Sequence, residues 1–361
     1  MLKSLTLNKF TVFPDANLRF GKHLNVIVGE NGTGKTHILK AAYSGIAVSA
    51  ARSGVRSSDV QGRLAFSEAI GAKFLGVFRP DRLGRLVRRT PGRSKCDISY
   101  KFHQDSLNMA FTISSLSRVI VREMPEARVL KRPVYLPTRE LLTIAPGFVS
   151  LYETAHLPFE ETWRDTCILL ESPLARGPRE AKIKQLLEPL EEAMGGKVEV
   201  DETGRFYLHL DTGSMEMHLV AEGLRKLAMV ARLIATGSLL NKGYLFWDEP
   251  ESNLNPRIIK TAARTILRLA ADGIQVFIGS HSLFLLRELH IIQQGEFPRL
   301  DARFFGLHLQ ADGAVRVSQA QSMDEIGDIV TLDEELEQSD RYIAAEMNLS
   351  EDPQQDGQDE L

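Results

Sequence analysis

The stretch "VIVGENGTGKTHILK", Val26–Lys40, constrains this chain more than any other. An apolar run enters a glycine-rich turn, and Gly29, Gly34, Lys35 and Thr36 satisfy the spacing G-x-x-x-x-G-K-[ST]. With Gly32 between them, the glycines let the backbone curl so that its N–H groups face inward. Gly29, Glu30, Asn31, Gly32, Thr33, Gly34 and the residues up to His37 thereby form a cradle for phosphate oxygens. Lys35 supplies positive charge to the β- and γ-phosphates, and the Thr36 hydroxyl is a candidate Mg²⁺ ligand. A helix opening here adds the positive end of its dipole. The same cradle serves GTPases, kinases and ATPases, so other residues must choose among them.

Two later segments do. "YLFWDEPESNLNP", Tyr244–Pro256, reads as a buried strand ending in adjacent carboxylates. Asp248 at the strand end is the candidate to hold Mg²⁺ through water, and Glu249 the candidate general base that polarises an attacking water. No N/T-K-x-D guanine-reading motif is present, which points to ATP. "VFIGSHS" is another buried strand, ending at His281. Consecutive βαβ strands tend to be neighbours, which would bring His281 to the γ-phosphate edge of the same site.

Around these motifs the periodicity predicts strands at 4–13 and 24–28 and a helix from His37. A polar helical stretch over 53–90 follows, then a β-meander in "CDISYKF", "LNMAFTI", "RVIVRE" and "PVYLP". Residues 139–194 read as mainly helical, and "KVEVDE", "RFYLHLD" and "MEMHLV" as a second meander. Strands and helices alternate from about Ala221 onward. The expected fold class is α/β, a P-loop NTPase with a mixed central sheet, a β-meander lobe and a helical insertion. The expected division is one head over 1–320, its nucleotide-binding core from about 1–50 and 215–310. The β-rich lobe would span about 70–138 and the helical insertion 139–195. An acidic tail over 321–361, its last dozen residues read as disordered, would complete the chain.

Charge sharpens that division. The net of −3 conceals fourteen acidic residues against Arg341 alone from Ser322 to Leu361, a tail of −13 that leaves +10 on residues 1–321. Cys96 and Cys167 lack disulfide or zinc spacing. No apolar run approaches the roughly eighteen residues of a membrane span, and the N-terminus has no signal-peptide core, so a cytoplasmic location is expected.

These pieces, in this order, resemble the ATP-binding-cassette (ABC) ATPases, in the branch of SMC and RecF rather than of transporters. "LTLNKFTVFPDANLRFGKHLNVIVGENGTGKTHIL" is similar to that branch's opening, "LFWDEPESNLNP" to its Walker B and D-loop, and "GSHS" to its switch histidine. The nearest resemblance is to stand-alone AAA-family ATPases related to the overcoming-lysogenization-defect (OLD) family, found in bacterial anti-phage modules. It covers residues 1–50 and 215–290. It implies ATP and Mg²⁺ as ligands and a head-to-head homodimer, in which each P-loop meets the partner's signature motif. "VAEGLRKLAMVARLI" occupies the signature position and places Gly223 against the partner's γ-phosphate. The chain departs from the family at Ala221, where a serine is usual, at Glu222, where a glycine is usual, and at Asn255, where an acid is common. Slow hydrolysis, or closure that depends on a partner, is expected from the departures at Ala221 and Glu222. No heptad arms or Toprim nuclease accompany the head, so the resemblance implies a separate effector, a nuclease or toxin.

Weaker signals leave alternatives. "FRPDRLGRLVRRTPGRSK" sets Arg79, Arg82, Arg85, Arg88, Arg89, Arg93 and Lys95 against Asp81. Arg82, Arg85 and Arg89 would share a helical face, either as salt-sensitive DNA contacts of a RecF-like repair ATPase or as a solvated or inter-subunit surface. A third reading is a nucleotide-bound scaffold that scarcely hydrolyses. Arg139 follows a strand where ABC heads carry a γ-phosphate-sensing loop. Trp163 reads as helical core, and His209 and His218 as surface residues.

Overall fold

The structure is a computed structural model. It describes residues 1–51, 60–89, 94–155, 157–175, 177, 180–240, 243–327 and 330–351. The chain opens with β1 (Leu2–Phe10) and β2 (Phe13–Arg19), then β3 (Leu24–Gly29), α1 (Lys35–Ala51) and α2 (Val60–Phe78). Next come β4 (Lys95–Phe102), β5 (Met109–Ser114), β6 (Val119–Glu123) and β7 (Pro133–Leu136). Three helices follow, α3 (Phe148–Ala155), α4 (Glu161–Leu170) and α5 (Glu180–Met194), then three short strands, β8 (Gly196–Val200), β9 (Phe206–Leu210) and β10 (Gly213–Glu216). The last portion contains α6 (Glu222–Ala235), β11 (Tyr244–Asp248), α7 (Pro256–Ala271), β12 (Gln275–Ser280) and α8 (Leu283–Glu296). It ends with β13 (Ala302–Leu309), β14 (Val315–Ala320) and α9 (Val330–Glu351).

The central sheet has the order β14-β13-β3-β12-β11-β7. It is parallel except for β14, which pairs antiparallel with β13, so it is mixed. Its strands β3, β12, β11 and β7 are buried along their whole length because both faces are covered, as parallel sheets require, whereas the outer strand β14 is half-polar. Successive side chains alternate between faces. Leu245 and Trp247 enter one core with Val26, Val28 and Ile278, whereas Tyr244 and Phe246 enter the other with Ile27 and Phe277. Each fully buried large apolar side chain here stabilises the fold by about 1.5–3 kcal/mol. An antiparallel five-stranded sheet, β2-β1-β4-β5-β6, covers the second core, and β10-β9-β8 form a third sheet.

Register sets the site. Asp248 lies opposite Gly279, while Gly279 and Ser280 face Ile27 and Val28. The carboxyl ends of β3, β11 and β12 therefore share one edge, where open α/β sheets bind ligands. The expected adjacency of the His281 and Asp248 strands is what the sheet shows. Local sequence fixes the helices that leave this edge. Asn255 caps α7 by accepting from the Ile258 amide at 3.0 Å, with Pro256 in the first turn. Ser282 caps α8 by accepting from Leu285.

Several expectations are corrected. The strand over 4–13 ends at Phe10, because Thr11 takes a left-handed φ of 46° and turns the chain into β2. "PVYLP" leaves the meander and pairs in parallel with β11, since its burial on both faces suits the central sheet. "MEMHLV" is strand only to Glu216, after which a 3₁₀ turn leads into α6. Arg82, Arg85 and Arg89 do not share an α-helical face. Leu83–Leu86 form a 3₁₀ turn, and Val87 bridges Phe10. Pairing with the β1–β2 tip, through Thr11 N–H to Leu86 O and Arg88 N–H to Lys9 O, draws this segment out of helix. Arg93 lies outside the described residues, as do 352–361 at the end of the tail.

Candidate functional site

The cradle sits between β3 and α1. Gly32 and Gly34 have φ of 85° and 93°, the left-handed region glycine tolerates. At Gly34 a Cβ would also come within 2.8 Å of the Phe13 ring and 2.9 Å of Val12, so the β1–β2 tip presses directly on the loop. Thr33 is buried and donates its hydroxyl to the Glu30 carbonyl at 2.8 Å, while Asn31 and Gly32 face solvent. Lys35 donates to the Gly29 and Glu30 carbonyls at 2.8 and 3.0 Å, folded back along the loop. Burial lowers its pKa, against the raising effect of Glu249, Asp248, Glu251 and Glu30. His37 bonds Thr11 Oγ1 at 3.1 Å, and burial, aided by Lys40, lowers its pKa to about 4, so it is neutral at pH 7.

At the end of β11, Asp248 is 5% exposed. Its Oδ2 accepts from the Thr36 hydroxyl at 2.7 Å, whereas its Oδ1 is buried without a partner. Burial raises its pKa, reinforced by Glu249 and opposed by the Thr36 hydrogen bond, Lys40 and Lys35. An orphaned buried carboxylate oxygen costs about 1–3 kcal/mol or more. A hard cation with oxygen ligands would relieve that cost, and the Thr36–Asp248 donor set fits Mg²⁺.

Glu249 follows with φ of 46°, a strained conformation for a side-chain-bearing residue. Its amide donates to Gly279 O at 2.9 Å. Its carboxylate stands 3.5 Å from His281 Nδ1, an ion-pair separation rather than a well-formed hydrogen bond. His281 holds the Glu249 pKa below its ordinary value against the effect of burial, with Lys35 and Lys226 assisting, and Glu249 raises that of His281. Glu249 is therefore ionised at neutral pH, the form a base requires. Glu251 fixes the His281 backbone, accepting from Ser280 Oγ at 2.7 Å and from the His281 amide at 3.2 Å.

Gly223 lies on α6 and is buried against the turn after Glu249: a Cβ there would meet Asn253 O at 2.5 Å. Arg139 is exposed, but its neighbour Glu140 is buried and pairs with Arg225 of α6 at 2.9 Å. Trp163 is partly buried and stacks on Phe159, with centroids 5.0 Å apart. His209 and His218 are exposed, as are Arg82, Arg85 and Arg89, while Arg88 donates to Val12 O. Lys226 escaped the sequence reading. It sits within an amphipathic helix like any polar-face lysine, yet is 2% exposed and donates to Glu249 O, Ser252 O and Ser252 Oγ. Its three-residue spacing from Gly223 was the available signal.

A family described as "AAA domain, putative AbiEii toxin, Type IV TA system" matches residues 111–287, and one described as "AAA domain" matches 4–42. A DNA replication and repair protein RecF from Streptococcus gordonii is 48% identical over 42 residues, which are 12% of this chain and 12% of that protein. An SMC head solved bound to the C-winged helix domain of ScpA superposes over 90% of this chain and 98% of that one, with a TM-score of 0.54 and 13% identity. The SMC head from Thermotoga maritima covers 88% and 98%, with 14% identity and a TM-score of 0.48. The similarity to the ScpA-bound SMC head spans nearly the whole chain and shows that this chain has the fold of that head, a mixed α/β fold with the P-loop and the two carboxylates at one edge of the central sheet.

Proposed function

We propose that this chain binds Mg·ATP and hydrolyses it slowly, and that two copies pair head to head around the nucleotide to control a separate effector. The observation that carries the catalytic part is the convergence of Thr36, Asp248 with its orphaned oxygen, and the ionised Glu249 on one edge. Lys35 exchanges its loop carbonyls for the β- and γ-phosphates. Thr36 and Asp248 would hold Mg²⁺, which supplies charge neutralisation at the phosphates. Glu249 orients a water for in-line attack and accepts its proton, while His281 keeps the carboxylate anionic and faces the γ-phosphate edge.

Support for pairing comes from the partly exposed Glu222 at the opening of α6, next to the buried Gly223, because the helix's N-terminal end would meet the partner's P-loop. The effector, a nuclease or toxin in a bacterial defence module and cytoplasmic like its ATPase, rests on the OLD-like sequence resemblance. The name of the toxin–antitoxin family matching residues 111–287 adds support. No helix among the described residues is long and apolar enough to cross a membrane. Cysteines introduced at Gly32 and Glu222 should crosslink between subunits only with Mg·ATP; crosslinking that ignores nucleotide contradicts ATP-driven pairing. The exposure of Arg82, Arg85 and Arg89 keeps a second reading, a RecF-like ATPase acting on DNA. Absence of duplex binding at low salt would remove it, and a steep fall of binding with salt, abolished by reversing the three to Glu, would favour it.

A further inference from the structure

A buried lysine whose ammonium bonds no carboxylate among the described residues, although Glu251 and Glu249 act on it from further off, needs an explanation, and the turn beneath α6 provides one. Glu249 and Asn253 both have left-handed φ, 46° and 63°, so the segment between them holds strain that its surroundings must fix. Ser252 closes the turn, its amide and hydroxyl both donating to Glu249 O, at 3.2 and 3.0 Å. Lys226 then donates to that same Glu249 carbonyl and to Ser252 O and Oγ, using all three ammonium protons on one short segment. Gly223 lies one helical turn earlier on the same face and lets α6 approach Asn253 O. A buried apolar residue at 226 would leave these inward-facing oxygens short of a donor.

We propose that Lys226 is a positioning residue for Glu249. It clamps the left-handed turn that aims the carboxylate, and it ties that aim to the position of α6 in the same subunit. Any displacement of α6 is thereby transmitted to the carboxylate. The inference rests on the proposed role of Glu249 in hydrolysis, but not on activity alone, because Glu249 also sets the titration of His281.

The test is Lys226→Met in the full chain, read in three ways. Turnover should fall roughly tenfold to a hundredfold, as expected when a reacting group is misplaced by an ångström or less. ATP affinity should not change, since Lys35, Thr36 and Asp248 are untouched. The His281 midpoint, followed by NMR, should drop toward the ordinary value as Glu249 moves away. A folded Lys226→Met with wild-type turnover and an unchanged His281 midpoint overturns the proposal. Parallel losses of turnover and affinity also overturn it, since they mark a structural role only. If Lys226→Met does not fold, Ser252→Ala removes the other closure of the turn and must shift turnover and His281 in the same direction; wild-type behaviour overturns the proposal. Should the wild type show no turnover, the hydrolytic reading fails, and the His281 titration of Lys226→Met alone decides this inference.

Discussion

Gly223→Ala sets two opposing magnitudes against each other. Alanine in a helix interior is favoured over glycine by about 1 kcal/mol, less in the first turn where Gly223 lies. Against this, the new Cβ would stand 2.5 Å from Asn253 O, 3.4 Å from Leu254 Cδ2 and 3.5 Å from Asn253 C. A carbon–oxygen contact becomes comfortable near about 3.3 Å, so roughly 0.8 Å must be found. The obstructing atom is backbone, in a turn already left-handed at Asn253, and α6 on the other side is buried. Overpacking of this kind costs about 1–3 kcal/mol, so the overlap outweighs the propensity gain. The expected net loss is about 1–2 kcal/mol, read in urea unfolding as a lower midpoint with an unchanged slope. Nucleotide affinity should hold while turnover falls. A Gly223→Ala protein as stable as the wild type, or more so, would refute the close packing of α6 on this turn.

Two further outcomes follow from the site. Lys35→Ala removes the cradle's buried ammonium and should abolish ATP binding in calorimetry, and retained affinity would detach the loop from the nucleotide. His281 should titrate above its ordinary 6.5, and Glu249→Gln should bring its midpoint down. The sign is set by both partners. The raised His281 pKa gives stability fully present below 6.5 and lost as pH rises through the raised value. The lowered Glu249 pKa gives stability present above 4.5 and lost as pH falls through the lowered value. The pair therefore contributes most between those ordinary values, and an unshifted His281 midpoint would contradict the contact.

What was legible in the sequence is what local chemistry dictates. β3, β11 and β12 are continuous apolar runs because both faces of the central sheet are covered, and each ends in a residue that no strand needs there: Gly29, Asp248 and, just beyond, His281. The helix stop at Gly195, with φ of 69°, was equally local. Long-range partners were not legible. "PVYLP" reads as any short strand, and only the six-stranded sheet shows that it belongs beside β11. The arginine segment has a helical charge pattern, but backbone pairing with Lys9 and Thr11 overrides it. The β13–β14 hairpin extends the central sheet beside β3, and its half-polar outer strand gave little pattern to read. The acidic stretch after Ser322 carries the helix α9, whose described side chains are exposed. Lys226 was missed because a lysine on an amphipathic helix reads as solvent-facing until its three acceptors are seen.

The central claim is that Glu249 drives ATP hydrolysis from a cradle that binds nucleotide independently of it. Its most direct test is single-turnover hydrolysis by the wild type and by Glu249→Gln, with ATP affinity measured on the same preparations. The amide keeps the size and hydrogen-bonding reach of the carboxylate but accepts no proton, so the rate should fall roughly a hundredfold or more. Affinity should stay at the wild-type value, because Lys35, Thr36 and Asp248 are intact. Equal rates for the two proteins, or a loss of binding that accounts for the slower rate, would contradict the account.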